Sequence, residues 1–183
     1  MHVQRIGNAL FCVILFFSLL FMSRVYIVID DHQDWAPYYP TEHVLTLQQY
    51  LSIQTSSLQR IRVINLCKDY NYLQDGYYCS LLAEARNHHV LPTIRVLNDL
   101  SQPLLYQLQM GPVSDLLNKN ASPADSQTEL TVKSYFGQVE DARFKSIARY
   151  LFERFACPIL QISLHYQQSW EVSNIEIIIY SAI

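Results

Sequence analysis

The chain has few glycines, and this scarcity excludes the commonest loops that hold nucleotide phosphates. Only four occur among 183 residues: Gly7, Gly76, Gly111 and Gly137. Phosphate-binding turns of the types G-x-x-x-x-G-K-S/T and G-x-G-x-x-G need closely spaced glycines, because backbone N–H groups must approach the phosphates without side chains in the way. The sequence therefore contains no glycine-rich phosphate-binding motif.

Positive charge is also scarce, which argues against a nucleic-acid partner. Thirteen Lys and Arg face sixteen Asp and Glu, the formal net charge is −3, and the basic residues are scattered along the chain. A phosphate backbone is held by clustered Lys and Arg. The hydrophobic content of 50% and the charged content of 16% predict a folded protein. We expect an ordinary globular chain that does not bind nucleic acid.

The four cysteines form no C-x-x-C motif and no Cys/His spacing typical of zinc, so no metal site is predicted. Cys67, Cys79 and Cys157 are expected to be buried free thiols, since unpaired cysteine is among the most buried residue types. A disulfide between Cys67 and Cys79 remains an open alternative. It would require an oxidising compartment.

Residues 1–23 form a hydrophobic leader with an apolar run from Leu10 to Met22. The run is shorter than the roughly 20 residues that span a bilayer, and it has the length of a signal-peptide core. However, no small-x-small cleavage site follows. The leader is an extension upstream of a start at Met22, a membrane anchor, or a cleaved signal. We favour the first interpretation and a cytoplasmic location, with anchoring through Leu10–Met22 as the alternative.

The order of apolar runs predicts an α/β fold. Residues 24–110 are predicted to form a Rossmann-like domain, with a small sheet and flanking helices. Residues 111–128, rich in Ser, Asn, Pro and Asp, are predicted to be a linker or loop. Residues 129–183 are predicted to form a strand, a helix and two strands. The predicted elements are strands at 25–30, 44–46, 61–66, 90–93, 130–136, 158–165 and 170–180, and helices at 47–51, 76–86, 98–108 and 141–155.

The helix at 76–86 carries a predicted buried face. Tyr78, Leu81, Leu82 and Ala85 follow the i, i+3, i+4, i+7 spacing of an amphipathic helix. Asp75 is a suitable N-cap, and Asn87 tolerates the left-handed conformation that often ends a helix. This interpretation places Tyr78 in the core.

A candidate ligand site lies where the strand at 61–66 leads into this helix. Open α/β sheets bind ligands outside the carboxyl ends of their strands, and helix N-termini offer free N–H groups there. Half of the tyrosines could instead pack beneath the loop, and Asn65 could close the turn. No Ser/His/Asp or Cys/His set predicts catalysis. The predicted ligand-binding residues are Asn65, Tyr70, Tyr72, Gly76, Tyr77, Tyr78 and, at the end of the first strand, Asp31.

Several of these segments resemble the N-terminal domain of RimK-like ATP-grasp ligases, a group that includes glutathione synthase-like and ribosomal-protein-modifying enzymes. The central resemblance lies in Asn-Leu-Cys from Asn65 and in Gly-Tyr-Tyr-x-Ser-Leu-Leu-Ala-Glu-Ala-Arg from Gly76. Tyr-Phe-Gly ending at Gly137 and Cys157-Pro158 are similar to its end. The resemblance runs from about residue 24 to residue 170.

The resemblance implies a small Rossmann-like, pre-ATP-grasp sheet that serves as the substrate-side or accessory domain of a carboxylate–amine ligase and is not catalytic by itself. ATP and magnesium would belong to the ATP-grasp domain, whose glycine-rich loop is absent here. The implied partners are a separate ATP-grasp domain or subunit and a peptide or amino-acid substrate, and the chain is expected to be truncated before any ATP-grasp domain. The alternative function is a membrane-anchored module that binds a small ligand or peptide.

Overall fold

The computed structural model describes residues 24–35, 41–54, 60–120 and 128–178. It divides into two compact units, one extending to Ile94 and the other comprising Arg95–Ile178. The division falls earlier in the chain than the predicted boundary at residue 110. The hypotheses about the leader at 1–23 lie outside the described residues. Within the described ranges, no helix combines the length and the apolar character needed to cross a bilayer.

The first unit is built on a parallel sheet with the strand order β2-β1-β3-β4, which confirms the predicted α/β fold. Every residue of β1 except Arg24 is buried, as expected for a central parallel strand covered on both faces. The elements are β1 (Arg24–Ile29), a 3-10 turn (His32–Trp35), β2 (Val44–Thr46), α1 (Leu47–Ser52), β3 (Ile61–Asn65), α2 (Asp75–Ala85) and β4 (His89–Leu91).

The strand order creates a switch point between β1 and β3. The chain leaves β1 toward β2 on one side and continues from β3 to β4 on the other. Val28 of β1 is in register with Asn65 of β3, so the carboxyl ends of these two strands are neighbours. A crevice outside such a switch point is the usual ligand-binding position of an open α/β sheet.

Helix α2 buries a different face from the one predicted. Tyr78 and Leu81 are 37% and 38% exposed, and Ala85 is exposed as well, so the predicted buried stripe is wrong. The helix packs through small residues instead, which allow its backbone to approach the sheet closely. The buried residues of α2 are Gly76, Cys79, Ser80 and Ala83.

The ends of α2 agree only in part with the sequence expectation. Gln74 is the N-cap, and Asp75 is the first helical residue, where its carboxylate favours the positive end of the helix dipole. Asn87 does adopt the expected left-handed conformation, with φ of 58°.

The helix α1 begins with a capping box, in which the side chains of Thr46 and Gln49 each accept the other's backbone N–H.

The second unit packs helices against an antiparallel sheet with the order β5-β6-β7. The strand–helix–strand–strand arrangement predicted for its C-terminal part is confirmed. Buried residues of α6, such as Ile147 and Leu151, form its core with Leu160 and Ile162 of β6. The elements are α3 (Ile94–Leu100), where the division falls, α4 (Pro103–Gln107), α5 (Gly111–Asn120), β5 (Glu129–Tyr135), a 3-10 turn (Ala142–Phe144), α6 (Lys145–Arg154), β6 (Ile159–Tyr166) and β7 (Trp170–Ile177).

Two sequence expectations are corrected between α3 and β5. The single helix expected at 98–108 is two short helices, α3 and α4, and Pro103 starts the second. The loop expected at 111–128 is wrong for residues 111–120, which form α5; residues 121–127 lie outside the described part. Val113 and Leu117, four residues apart on α5, are 0% exposed. Their burial outweighs the polar composition on which the loop prediction rested.

Gly137 occupies a position that only glycine suits. It lies in the turn after β5 with φ of 75°, and a Cβ built there would lie 2.8 Å from the Cβ of Phe152 on α6. The left-handed backbone and the close approach both disfavour any side chain. This explains why the Tyr-Phe-Gly segment ends in glycine.

Candidate functional site at the carboxyl edge of the parallel sheet

Asn65 ends β3 and fastens the strand to the start of α2. The side chain is 0% exposed. Its Nδ2 donates to the carbonyl of Gly76 at 2.7 Å and to Ser80 Oγ at 3.0 Å, and its Oδ1 accepts the Cys67 N–H at 3.1 Å. Ser80 in turn donates to the carbonyl of Pro92, just after β4. Asn65 therefore organises the edge of the sheet, and its predicted contact with a ligand stays a prediction.

The loop from Lys68 to Gln74 is held in one conformation by its own hydrogen bonds. Asp69 Oδ1 accepts both the backbone and the side-chain N–H of Asn71 at 2.8 Å. Leu73 has a φ of 67°, a conformation that is costly for a residue with a side chain. The loop is pre-organised at the end of β3, where a ligand-binding segment is expected.

Gly76 allows this loop to lie against the first turn of α2. A Cβ at this position would lie 2.6 Å from the Asp69 carbonyl oxygen and 2.9 Å from Cδ1 of Tyr70. The Gly76 N–H donates to that same Asp69 oxygen at 2.9 Å. The N–H of Gly76 is therefore already paired within the protein, and the predicted contact of Gly76 with a ligand stays a prediction.

The four tyrosines do not share one role. Tyr70 donates its hydroxyl to the backbone carbonyl of Asn65 at 2.8 Å and is partly buried, so it packs within the loop. Tyr72 is 72% exposed and meets Tyr77 edge-on, with ring centroids 5.2 Å apart. Tyr78 is exposed on α2, which corrects its predicted place in the core. The structure thus brings Tyr72 and Tyr77 together as an accessible aromatic pair.

Charged side chains join the ends of β1 and β3 at the switch point. Asp30 Oδ2 accepts the Lys68 N–H at 2.7 Å, and Lys68 Nζ pairs with Asp34 Oδ1 at 2.5 Å. Asp34 also raises the pKa of the Lys68 ammonium through this contact. The predicted residue Asp31 is exposed and accepts the Gln33 N–H, which shapes the following turn. Three carboxylates and one ammonium leave this edge negatively charged.

Lys68 and Asp34 were missing from the residues predicted to form the site. Lys68 directly follows the apolar segment ending at Cys67, so its place after β3 could have been taken from the sequence. Its pairing with Asp34 depends on β1 and β3 being neighbours, which the sequence does not reveal. Within the described ranges, no group of three or more His, Cys, Asp and Glu side chains is arranged to hold a metal ion.

Cys67 and Cys79 lie beneath this edge as reduced thiols, each 0% exposed. The neighbouring Cys79 thiol, followed by burial, raises the pKa of Cys67. The expected free, buried state of Cys67, Cys79 and Cys157 is confirmed.

These features define an α/β domain with an open parallel sheet and a polar, tyrosine-bearing edge at its switch point. The RimK-like ATP-grasp N-terminal domain family matches residues 47–183, and the chain belongs to this family. The matched range includes β3, α2 and all of the second unit; β1 with Asp30 and Asp31 precedes it. A search of curated proteins finds no match to the chain. The resemblance inferred from the sequence is thereby confirmed.

Proposed function

We propose that this chain is the substrate-side, accessory domain of a RimK-like carboxylate–amine ligase and has no catalytic activity of its own. The observation that carries the proposal is the carboxyl edge of the parallel sheet. This edge offers Lys68, three carboxylates and exposed tyrosines, but no glycine-rich turn for phosphates. An edge of this kind suits a small polar ligand better than a nucleotide.

In this proposal ATP and magnesium bind to an ATP-grasp part with which the domain associates. That part would activate a carboxylate for attack by an amine. This domain would contribute contacts that position one of the two substrates. Remote contacts of this kind lower a barrier by holding the reacting groups in place.

The proposed ligand class is an amino acid or a short peptide. The exposed carboxylate of Asp31 favours an ammonium group, while Lys68, whose side chain is 43% exposed beside its partner Asp34, favours a carboxylate, so the edge carries both charges of a zwitterion. The rings of Tyr72 and Tyr77 offer an apolar surface next to the loop. A zwitterion with an apolar side chain combines these three properties.

Calorimetry tests the absence of nucleotide binding. The full chain is titrated with ATP in the presence of magnesium, and no heat of binding is expected at protein concentrations in the micromolar range. An affinity in the micromolar range together with ATP turnover would contradict the accessory role.

A second experiment tests the ligand class. The full chain is screened by NMR with single amino acids and dipeptides, and shifts are expected for amides of residues 68–77. Tyr72→Ala should weaken binding of the responding ligand about tenfold, since one stacked ring contributes about 1–1.5 kcal/mol. Leu108→Ala is the matched control, because Leu108 is 85% exposed in the second unit. Equal loss in both variants would contradict the assignment of the site.

The proposal includes a cytoplasmic location. Fractionation of cells that express the full chain tests it: the protein is expected in the fraction without membranes. Recovery with the membranes, released only by detergent, would favour the membrane-anchored ligand-binding module instead.

A further inference from the structure

The apolar stripe of α2 that the sequence pattern assigned to the core lies on the outside of the first unit. Tyr78, Leu81 and Ala85 are exposed, and Leu82 is partly exposed. The inner face of α2 packs on the sheet through small residues, so the stripe contributes little to that packing. In the described part of the first unit, every exposed large apolar side chain lies on this stripe or on the loop before it. An exposed apolar stripe at helical spacing is typical of a protein–protein contact.

The stripe is complementary to a second copy of itself. Leu81 and Leu82 form its centre. The large side chain of Tyr78 lies one turn toward the N-terminus, and the small Ala85 lies one turn toward the C-terminus. When two such helices lie antiparallel about a two-fold axis, the residue before the centre of one helix faces the residue after the centre of the other. A large side chain therefore meets a small one on both sides of the axis.

The charges at the two ends of α2 favour the same antiparallel arrangement. Asp75, the first helical residue, is exposed, and Arg86, just past the last one, is partly exposed. The Arg86 guanidinium is held in place by the carbonyls of Tyr50 and Leu51. An antiparallel pair brings Asp75 of each copy to the end of the other helix at which Arg86 lies, and opposite charges attract there. The dipoles of the two helices also oppose each other favourably.

We infer that this chain forms a homodimer in which the α2 stripe packs antiparallel against the same stripe of a second copy. Leu81 meets Leu81 of the second copy at the two-fold axis, and Tyr78 of each copy covers Ala85 of the other. The inference goes beyond the proposed function and does not depend on it, since it concerns the outer face of α2.

The size of the contact sets the expected affinity. A helix of 11 residues is about 16 Å long, so the paired stripes bury much less than the roughly 800 Å² per partner of a standard interface. We therefore expect a weak dimer, with a Kd on the order of 10–100 µM.

Sedimentation equilibrium tests the dimer. The mean mass of the full chain is measured at protein concentrations from about 5 to 500 µM, a range that brackets the expected Kd. The mass should rise with concentration from that of one chain toward that of two chains. A mass of one chain at every concentration would overturn the inference.

Two variants test whether the association uses the α2 stripe. Leu81→Asp places a charge at the centre of the contact and should raise the Kd at least about tenfold. Leu108→Asp is the matched control, because Leu108 is strongly exposed on the second unit, and it should leave the Kd unchanged. Circular dichroism checks that both variants are folded. Association that Leu81→Asp leaves unchanged, or that both variants weaken equally, would overturn the inference.

Cross-linking tests the antiparallel geometry. Leu81→Cys and Ala85→Cys are made separately in a Cys12→Ser background, where Cys67, Cys79 and Cys157 are buried thiols. Leu81 lies at the two-fold axis, so the cysteines introduced there in two copies come within reach of a disulfide when diamide is added. Those introduced at Ala85 lie about two turns apart and should link at least about tenfold more slowly. Linking that is equally fast at both positions, or faster at Ala85, would contradict the arrangement.

Discussion

Gly76 shows how one residue couples the loop after β3 to the helix that follows it. Because Gly76 has no side chain, the Asp69 carbonyl and the Tyr70 ring can lie close to its backbone, where a Cβ would collide with them. A helix interior ordinarily favours alanine over glycine by about 1 kcal/mol. Here the close approach of the loop outweighs helix propensity, so the glycine has a structural explanation that does not invoke a ligand.

Gly76→Ala is expected to lower the free energy of unfolding by about 1–3 kcal/mol, because the new methyl group must displace backbone atoms. Urea denaturation measures the change. Gly111→Ala is the matched control: a Cβ there meets nothing within 4 Å, so a change between zero and a gain of about 1 kcal/mol is expected. Two variants of equal stability would contradict the close packing at Gly76.

His88 is a second residue whose environment has a measurable consequence. It is 7% exposed, and its Nδ1 shares a hydrogen bond of 2.7 Å with the hydroxyl of Tyr50. Burial raises the pKa of Tyr50 to about 12. Burial also lowers the pKa of His88 below 6.5, and the nearby Arg86 guanidinium adds to the effect. The folded state therefore favours the neutral form of this imidazole.

We predict that stability falls as the pH drops below 6.5. In that range the unfolded chain binds a proton at His88 while the folded chain does not, so protonation favours unfolding. We compare the urea midpoint at a pH above 6.5 with the midpoint at a pH below 6.5. In His88→Gln, the midpoint should fall less between these two pH values than it does in the unchanged protein. His89→Gln, at an exposed neighbour, should retain the full fall. The same slope in both variants would exclude His88 as its source.

At the scale of elements, α2 illustrates why a helical pattern can be assigned to the wrong face. Its small residues face the sheet, while Tyr78 and Leu81 point outward. Arg86, just past its end, donates to the carbonyls of Tyr50 and Leu51 at the end of α1, which joins the two helices. The position of α2 thus depends on close backbone approach and on polar contacts more than on large apolar side chains.

Ala83→Leu tests this packing. Ala83 is 0% exposed within the core of the first unit, and a larger side chain there is expected to cost about 1–3 kcal/mol. Ala85→Leu, two residues away on the exposed side, should change stability by less than about 0.5 kcal/mol. Chemical denaturation measures both, and a larger cost at Ala85 would reverse the assignment of faces.

At the scale of the whole molecule, charge leads to an expectation about nucleic-acid partners. The net charge of −3 combines with a carboxylate-rich edge at the candidate site. Duplex DNA and RNA would meet repulsion there, and the Lys and Arg residues are scattered along the sequence and not clustered.

We therefore expect no binding of duplex DNA or RNA to the full chain at about 0.15 M salt, measured by fluorescence anisotropy. A protein concentration in the micromolar range is sufficient, since even non-specific nucleic-acid binders of ordinary affinity respond there. Saturable binding whose affinity falls steeply with added salt would contradict this prediction.

Much of the fold was predictable because apolar strands and turn residues act locally. The apolar run before Asn65, the helix that begins near Gly76 and the helix predicted at 141–155 all follow from periodicity, and the α/β class follows from their order. The same local rules failed at α5, where polar composition concealed Val113 and Leu117. A periodic signal from two residues is too weak to be found without knowing what they pack against.

The sequence by itself determined the fold class, the position of the loop after β3, the family resemblance and the absence of a glycine-rich phosphate-binding motif. Only the tertiary structure decided which face of α2 is buried, that Asn65 and Gly76 shape the site from within, and that Asp34 pairs with Lys68. The physical reason is that these contacts join residues from neighbouring strands and their connections. Strand order and close backbone approach determine such contacts, and neither produces a periodic pattern of residues in the sequence.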